Sequence, residues 1–145
     1  MAGNYADLGL AYSQRVRSAG SQRDASLASN AYGRFLSQQR GRRQQADLTR
    51  TSNNQLGKLA ASYGVRGLRN SGVRQRGVSD FATGVQQQSQ DIADRVRQEQ
   101  QQSVLDDASV SAAYEQLVAD AELQKMRDIY ATALSLQDYM PFLGS

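Results

Sequence analysis

At residues 59–77 the chain reads LAASYGVRGLRNSGVRQRG. Glycine commonly ends a helix because it adopts the left-handed backbone conformation, whereas asparagine and serine cap the start of a helix. Gly64 is therefore predicted to end one helix, and Asn70-Ser71 to cap the next. The stretch predicts a turn at residues 64–72 between two helices.

Apolar residues recur at helical spacing on both sides of this turn. The spacing predicts a helix over residues 21–62 and a longer one from Val78 to about Tyr139, with steps of three, four and seven that resemble heptads. No alternation typical of a strand persists, so the sequence predicts an all-α fold, an elongated long-helix hairpin with short terminal docking segments. The predicted stripes are Ala28, Tyr32, Phe35, Leu36, Leu48, Ser52, Leu56, Leu59, Ala60 and Tyr63 before the turn, and Val78, Phe81, Val85, Ile92, Val96, Val110, Tyr114, Leu117, Val118, Ala121, Ile129, Tyr130, Ala133 and Leu134 after it.

The predicted organisation has three parts: an N-terminal docking segment at residues 1–20, the hairpin at 21–138 and an apolar tail at 139–145. Ala19-Gly20-Ser21 is interpreted as a hinge or helix break. A second break near Asp106-Asp107 stays open, because either aspartate is a suitable cap for a third helix.

The tail carries four large apolar side chains, Tyr139, Met140, Phe142 and Leu143. Pro141 is the only proline of the chain and cannot continue a helix. Exposed apolar clusters of this kind mark contact surfaces, so the tail is predicted to dock on a neighbouring subunit or partner. The alternative is that the tail folds back onto its own hairpin near Tyr5 and Leu8.

Charge is unevenly distributed along the chain. Residues 1–77 hold 13 basic and 3 acidic residues, a net charge of +10, whereas residues 78–145 hold 4 and 11, a net charge of −7. The basic arm is predicted either to form ion pairs with the acidic arm or a neighbouring subunit, or to contact nucleic acid. Its candidate residues are Arg40, Arg42, Arg43, Arg50, Arg66, Arg69, Arg74 and Arg76.

Composition argues against most enzymes. The chain has no cysteine and no histidine, so it lacks thiolate chemistry, the commonest metal ligand and the usual general base. The glycines of the turn do not match a phosphate-binding loop, and the aspartates and glutamates do not match a calcium-binding loop. We therefore expect no catalytic residue, no cofactor, no metal and no small-molecule substrate. No membrane span and no signal peptide are expected either.

The pattern Gly64-Val65, Ser71-Gly72, preceded by an alanine-rich helix end and followed by a glutamine-rich helix, resembles small helical virion proteins of tailed bacteriophages. The resemblance covers roughly residues 20–135. It implies an assembly role at the neck, tail or portal, or an internal protein ejected with the genome, and it implies no catalytic residue.

The sequence therefore predicts a structural subunit of a multi-copy assembly, most simply a tailed-phage virion protein made in the host cytoplasm. Its expected partners are copies of itself and other virion proteins such as the portal, adaptor or tail, with DNA contact through the basic arm left open. Two alternatives remain: a nucleic-acid-associated protein that uses residues 15–76, and a helical scaffolding or assembly factor.

Overall fold

The computed structural model describes the backbone of residues 2–67 and 71–139, and the side chains of residues 6–67 and 71–135. Two helices account for almost all of it, α1 at Ala2–Val65 and α2 at Gly72–Tyr139. The described ranges contain no strand. The chain is a helical hairpin, which confirms the predicted all-α fold and the turn between residues 64 and 72.

The turn uses a different glycine from the one predicted. The backbone N–H of Gly67 donates to the carbonyl of Gly64 at 3.2 Å, and Gly67 has φ of 70°. Because this left-handed conformation suits glycine, Gly67 ends α1 and the assignment of Gly64 is wrong. Ser71 caps α2 as predicted, since its Oγ accepts a hydrogen bond from the N–H of Arg74 at 3.3 Å.

The predicted break at Ala19-Gly20-Ser21 is wrong, and the question left open at Asp106-Asp107 is answered by a continuous helix. α1 passes through Ala19-Gly20-Ser21, where Ala19 is buried and Gly20 faces the ring of Tyr114. α2 passes through Asp106-Asp107 without a break. A glycine inside a helix costs only about 1 kcal/mol relative to alanine, so packing against a neighbouring ring is enough to keep the helix continuous.

The hairpin divides into two compact units, each built from a segment of both helices. Unit 1 comprises Met1–Asn30 and Leu105–Ser145, and unit 2 comprises Ala31–Val104. By sequence, unit 1 holds 5 basic and 9 acidic residues, a net charge of −4, and unit 2 holds 12 and 5, a net charge of +7. The uneven charge along the sequence therefore appears in the structure as a net negative unit 1 and a net positive unit 2.

Within each unit the two helices run antiparallel and meet along one seam. The less exposed positions return every 11 residues, which corresponds to about 3.67 residues per turn, rather than every 7 as the heptad-like spacing predicted. The repeat keeps one face of each helix on the seam with little of the left-handed supercoiling that heptads impose. The returning positions are Leu8, Ala19, Asn30, Gly41, Ser52 and Tyr63 on α1, and Phe81, Ile92, Ser103, Tyr114 and Lys125 on α2.

Candidate interaction surfaces

Part of the seam of unit 2 is polar. Arg34 donates to Ser103 Oγ at 3.0 Å, and the hydroxyl of Ser37, which is buried, donates to a carboxylate oxygen of Glu99. The side chain of Gln45 forms two hydrogen bonds with Ser89, at 2.9 and 3.0 Å. Buried polar groups are tolerated when they are paired in this way, so these polar side chains share the seam with the apolar contact between Val96 and Gly41.

The aromatic residues of this segment face outward, and the prediction that Tyr32, Phe35 and Leu36 belong to the packed stripe is wrong. Tyr32 is 63% exposed and Phe35 is 51% exposed, with their ring centroids 6.4 Å apart in a stacked pair. The physical reason is the register of the seam. Gly41 packs against Val96 there, and Tyr32 lies about 180° around the helix axis from Gly41.

Arginines continue along the same outward face of α1. Relative to Gly41, Gln39, Arg43 and Arg50 lie at about 160°, 200° and 180° around the axis, and Arg42 and Arg40 lie on the two margins. All of these side chains are exposed. We call this surface the α1 outer face: Tyr32, Phe35, Gln39, Arg40, Arg42, Arg43 and Arg50.

The predicted ion pairing between the arms is not seen at these arginines. Among the residues that the structure describes, Arg23 forms a salt bridge with Asp24 and Arg97 forms one with Asp94, each within a single helix. Within that described part, Arg40, Arg42, Arg43 and Arg50 have no carboxylate within ion-pair distance. Their guanidinium groups therefore face solvent.

The other predicted basic residues are spread around the turn. Arg66 and Arg76 are exposed and Arg74 is half-buried, while Arg69 lies outside the described residues. The seven arginines that the structure describes do not all share one face: four belong to the α1 outer face, and Arg66, Arg74 and Arg76 lie at the turn and the start of α2.

A second apolar surface lies on α2 in unit 1. Ala121 is buried in the seam at 8% exposure, whereas Met126 and Tyr130 are 63% and 74% exposed. Leu123, Met126 and Tyr130 lie about 200°, 140° and 180° around the axis from Ala121, so they form the opposite face of the helix. We call this surface the α2 outer stripe: Leu105, Ala108, Ala112, Ala119, Leu123, Met126, Tyr130 and Leu134, all exposed.

Sequence reasoning missed the α2 outer stripe because it assigned one apolar face to each helix. Tyr130 and Leu134 were predicted to continue the seam stripe, together with Ile129, but all three are exposed. The seam instead continues through Lys125 and Asp128. Leu123 and Leu134 are 11 residues apart, the same interval as the seam positions, but both lie on the opposite side of the helix from Ala121. The signal that separates the two faces is therefore the angle of each residue around the helix axis.

Polar and charged side chains border the α2 outer stripe. Glu115, Asp120, Glu122 and Arg127 are exposed beside it, and three of these four are acidic. On the seam of unit 1, Tyr12 donates a hydrogen bond to Glu122 at 3.2 Å, and Asn30 donates to Asp107 at 2.8 Å. The stripe is thus an apolar strip with a mainly acidic border.

Two aromatic rings in unit 1 accept cations on their faces. The Arg23 guanidinium lies 4.3 Å from the centre of the Tyr114 ring, and the Lys125 ammonium lies 4.8 Å from that of Tyr12. Partial burial, followed by the nearby carboxylate of Glu122, raises the pKa of Tyr12 above its ordinary value of 10.0. A hydrogen bond to Asp24 raises the pKa of Arg23.

The predicted docking tail cannot be placed. α2 ends at Tyr139, and the side chains of Tyr139, Met140, Phe142 and Leu143 lie outside the described residues. The N-terminal segment is described from residue 6 onward, and there it forms part of α1 in unit 1. The docking roles of both termini stay predictions.

The described side chains include no group of three or more acidic residues arranged to hold a metal ion. Over the same part of the chain, neither helix has a segment of the length and apolarity required to cross a bilayer. The distinctive features of the hairpin are therefore its two outward surfaces.

Comparison with known proteins adds no relative to these observations. No protein-family model matches the chain, and neither a curated protein nor a solved structure matches it.

Proposed function

We propose that this protein is a non-enzymatic structural subunit of a multi-copy helical assembly. The observation that carries the proposal is the α2 outer stripe, which makes α2 apolar on two opposite faces in unit 1. One face packs against α1 and the other has no partner among the described residues. A helix with apolar residues on two opposite faces can pack against its hairpin partner on one face and against another helix on the second.

The size of the stripe supports an interface. From Leu105 to Leu134 it runs over 29 intervals, or about 44 Å, and a helix is about 10 Å wide, so the strip covers about 440 Å². The largest apolar patch on a typical soluble monomer is about 300–600 Å² and is often functional, so the stripe is of the size of such a patch. The aromatic ring of Tyr130 lies near one end of the strip, and aromatic residues often carry much of the binding energy of an interface.

The packing within the hairpin also supports assembly. Among the described side chains no large one is fully buried, and the buried apolar residues are Ala19 and Ala121. Apolar burial is the main favourable term in folding. A second layer of helices on the α2 outer stripe adds burial that the hairpin alone does not provide.

The particular setting that we propose is the virion of a tailed bacteriophage, at the neck, tail or portal, with a role in genome ejection as one form of it. The connector pattern around Gly64, Ser71 and Gly72 supports this setting through its resemblance to small helical virion proteins. In that setting the partners of the α2 outer stripe are copies of this chain, and the portal, adaptor or tail proteins are neighbours.

The proposal is tested by substitution on the stripe. Leu123→Gln with Met126→Gln should lower the average mass of the purified chain measured by sedimentation velocity, because both exposed apolar side chains are lost from the interface. Leu10→Gln is the matched control, since Leu10 is an exposed leucine on α1 in the same unit. A wild-type chain that stays monomeric at every accessible concentration contradicts the proposal, as does an equal loss of mass in the control.

A further inference from the structure

We propose that the α1 outer face binds single-stranded nucleic acid. The proposal concerns unit 2 and does not depend on the role of the α2 outer stripe in unit 1. It rests on the juxtaposition, on one helix, of an exposed aromatic pair with Arg43 and Arg50 on the same face and with Arg40 and Arg42 on its two margins.

Most of the net positive charge of unit 2 is carried by α1. Between residues 31 and 65, α1 has six basic residues and one acidic residue, Asp47, whereas the part of α2 in unit 2 has four of each. Arg40, Arg42, Arg43 and Arg50 face solvent without a carboxylate partner among the described side chains. Guanidinium groups recognise phosphate oxygens bidentately, so such arginines suit a polyanion.

The geometry is that of a linear track. Tyr32 and Arg43 are 11 residues apart and therefore lie on the same side of α1, separated by about 16 Å. Arg50 extends the same line, so the whole face spans 18 intervals, or about 27 Å. A row of cations along one helix matches a chain of regularly spaced phosphates better than it matches a compact anion.

The aromatic pair decides between single-stranded and duplex nucleic acid. The rings of Tyr32 and Phe35 are more than half exposed, and they lie within three turns of Arg42 and Arg43. Proteins that bind single strands combine a positively charged track with aromatic side chains on which unpaired bases stack. The bases of a duplex are stacked on each other and cannot use such rings.

A protein ligand is the competing occupant of this face. The mainly acidic border of the α2 outer stripe on another copy is a candidate, but three carboxylates interrupted by Arg127 make a weaker complement than a continuous row of phosphates. The stacked rings also offer flat faces, which bases fill more completely than carboxylates do. We therefore assign nucleic acid to the α1 outer face, and the experiment distinguishes this ligand from a protein.

The test uses the full-length chain and a fluorescently labelled single strand of mixed sequence, with binding measured by fluorescence anisotropy over a range of salt concentrations. Each phosphate neutralised on a single strand contributes about −0.7 to the slope of log affinity against log salt. Four arginines predict a slope of about −2.8, and so about 50-fold weaker binding at 200 mM than at 50 mM salt.

Two double variants distinguish binding by the arginines of the α1 outer face from binding by positive charge elsewhere on the chain. Arg42→Gln with Arg43→Gln should halve the slope to about −1.4, because two phosphate contacts are lost. Arg15→Gln with Arg17→Gln removes the same charge from exposed arginines of α1 in unit 1 and should leave the slope unchanged. Glutamine and arginine have similar helix propensities, so all of these chains should keep their helicity in circular dichroism.

A third variant tests the rings. Tyr32→Ala with Phe35→Ala should weaken binding about tenfold at every salt concentration without changing the slope, since stacking does not release counterions. The proposal is overturned if the single strand does not bind, if the two arginine variants lose affinity equally, or if the duplex formed with the complementary strand binds more tightly. It is also overturned if Arg42→Gln with Arg43→Gln reduces self-association while oligonucleotide affinity stays at the wild-type value, which would identify a protein interface.

Discussion

Gly41 is a point of close approach between the two helices on the seam of unit 2, and Gly41→Ala tests that packing. A Cβ added at Gly41 would lie 2.5 Å from Cγ2 of Val96. Carbon atoms in favourable contact are about 3.5–4.0 Å apart, so the added methyl group forces a shift of the backbone or of Val96. Valine in a helix is held in one preferred rotamer, which makes rotation away from the methyl group costly.

Two opposing effects set the magnitude. Alanine is about 1 kcal/mol better than glycine in a helix interior. Inserting a methyl group into a packed contact costs about 1–3 kcal/mol. We therefore expect Gly41→Ala to lower the free energy of unfolding by about 0–2 kcal/mol, with the value set by how far the two helices separate.

Gly33→Ala is the matched control because Gly33 is another glycine within α1 in unit 2, it is exposed, and nothing lies within 4 Å of its added Cβ. This substitution should raise the free energy of unfolding by up to about 1 kcal/mol through helix propensity alone. The assay is urea unfolding followed by far-ultraviolet circular dichroism at one fixed protein concentration, because assembly stabilises the chain by mass action.

Val96→Ala tests whether the added methyl group at position 41 contacts Val96. In a double-mutant cycle with Gly41→Ala, removing the valine methyl groups should relieve the clash, with a favourable coupling of about 1–3 kcal/mol. If Gly41→Ala stabilises the chain as much as Gly33→Ala does, or if the cycle shows no coupling, the seam does not bring Gly41 against Val96 and the register described here is wrong.

Three further predictions follow from the described residues and from the tail. Because burial and a nearby carboxylate raise the pKa of Tyr12, its neutral form stabilises the fold below pH about 10 and that stability is lost as pH rises further; Tyr12→Phe should reduce the alkaline loss of unfolding free energy. Ser37→Ala removes the seam hydrogen bond to the exposed carboxylate of Glu99 and should lower the unfolding free energy by about 0.5–1.5 kcal/mol, an effect that an exposed serine of α1 should not reproduce. Deleting residues 139–145 should abolish incorporation into the assembly while the helicity of the free chain stays nearly unchanged; normal incorporation, or a parallel loss of helicity, would refute the docking role.

The hairpin could be predicted from sequence because local signals agree at the turn. The glycines at 64, 67 and 72 and the cap at Ser71 interrupt two long patterns of helical spacing, and short connections place consecutive helices side by side. The helix ends were less predictable. Gly20 suggests a break when only local propensity is considered, but its packing against Tyr114 is a contact 94 residues away along the sequence.

The outward surfaces could not be predicted because a helical wheel shows apolar positions without showing which of them face the partner. In α2, Ala121 and Tyr130 are both apolar, yet one is on the seam and the other is exposed. In α1, the polar residues Asn30, Arg34 and Ser37 occupy the seam only because their partners lie opposite them on α2. That pairing depends on the register between the two helices, and the sequence pattern of either helix alone does not contain this register.

The central claim is that the α2 outer stripe joins copies of this chain, and photo-cross-linking from position 130 tests it most directly. Tyr130→p-benzoylphenylalanine places a photoreactive ring on the stripe without removing its aromatic character. Equal amounts of unlabelled and ¹⁵N-labelled chains are mixed, irradiated and digested, and the masses of the cross-linked peptides are measured by mass spectrometry. If the stripe joins copies of the chain, the cross-links join labelled to unlabelled peptides; cross-links confined to peptides of the same chain would show that it does not.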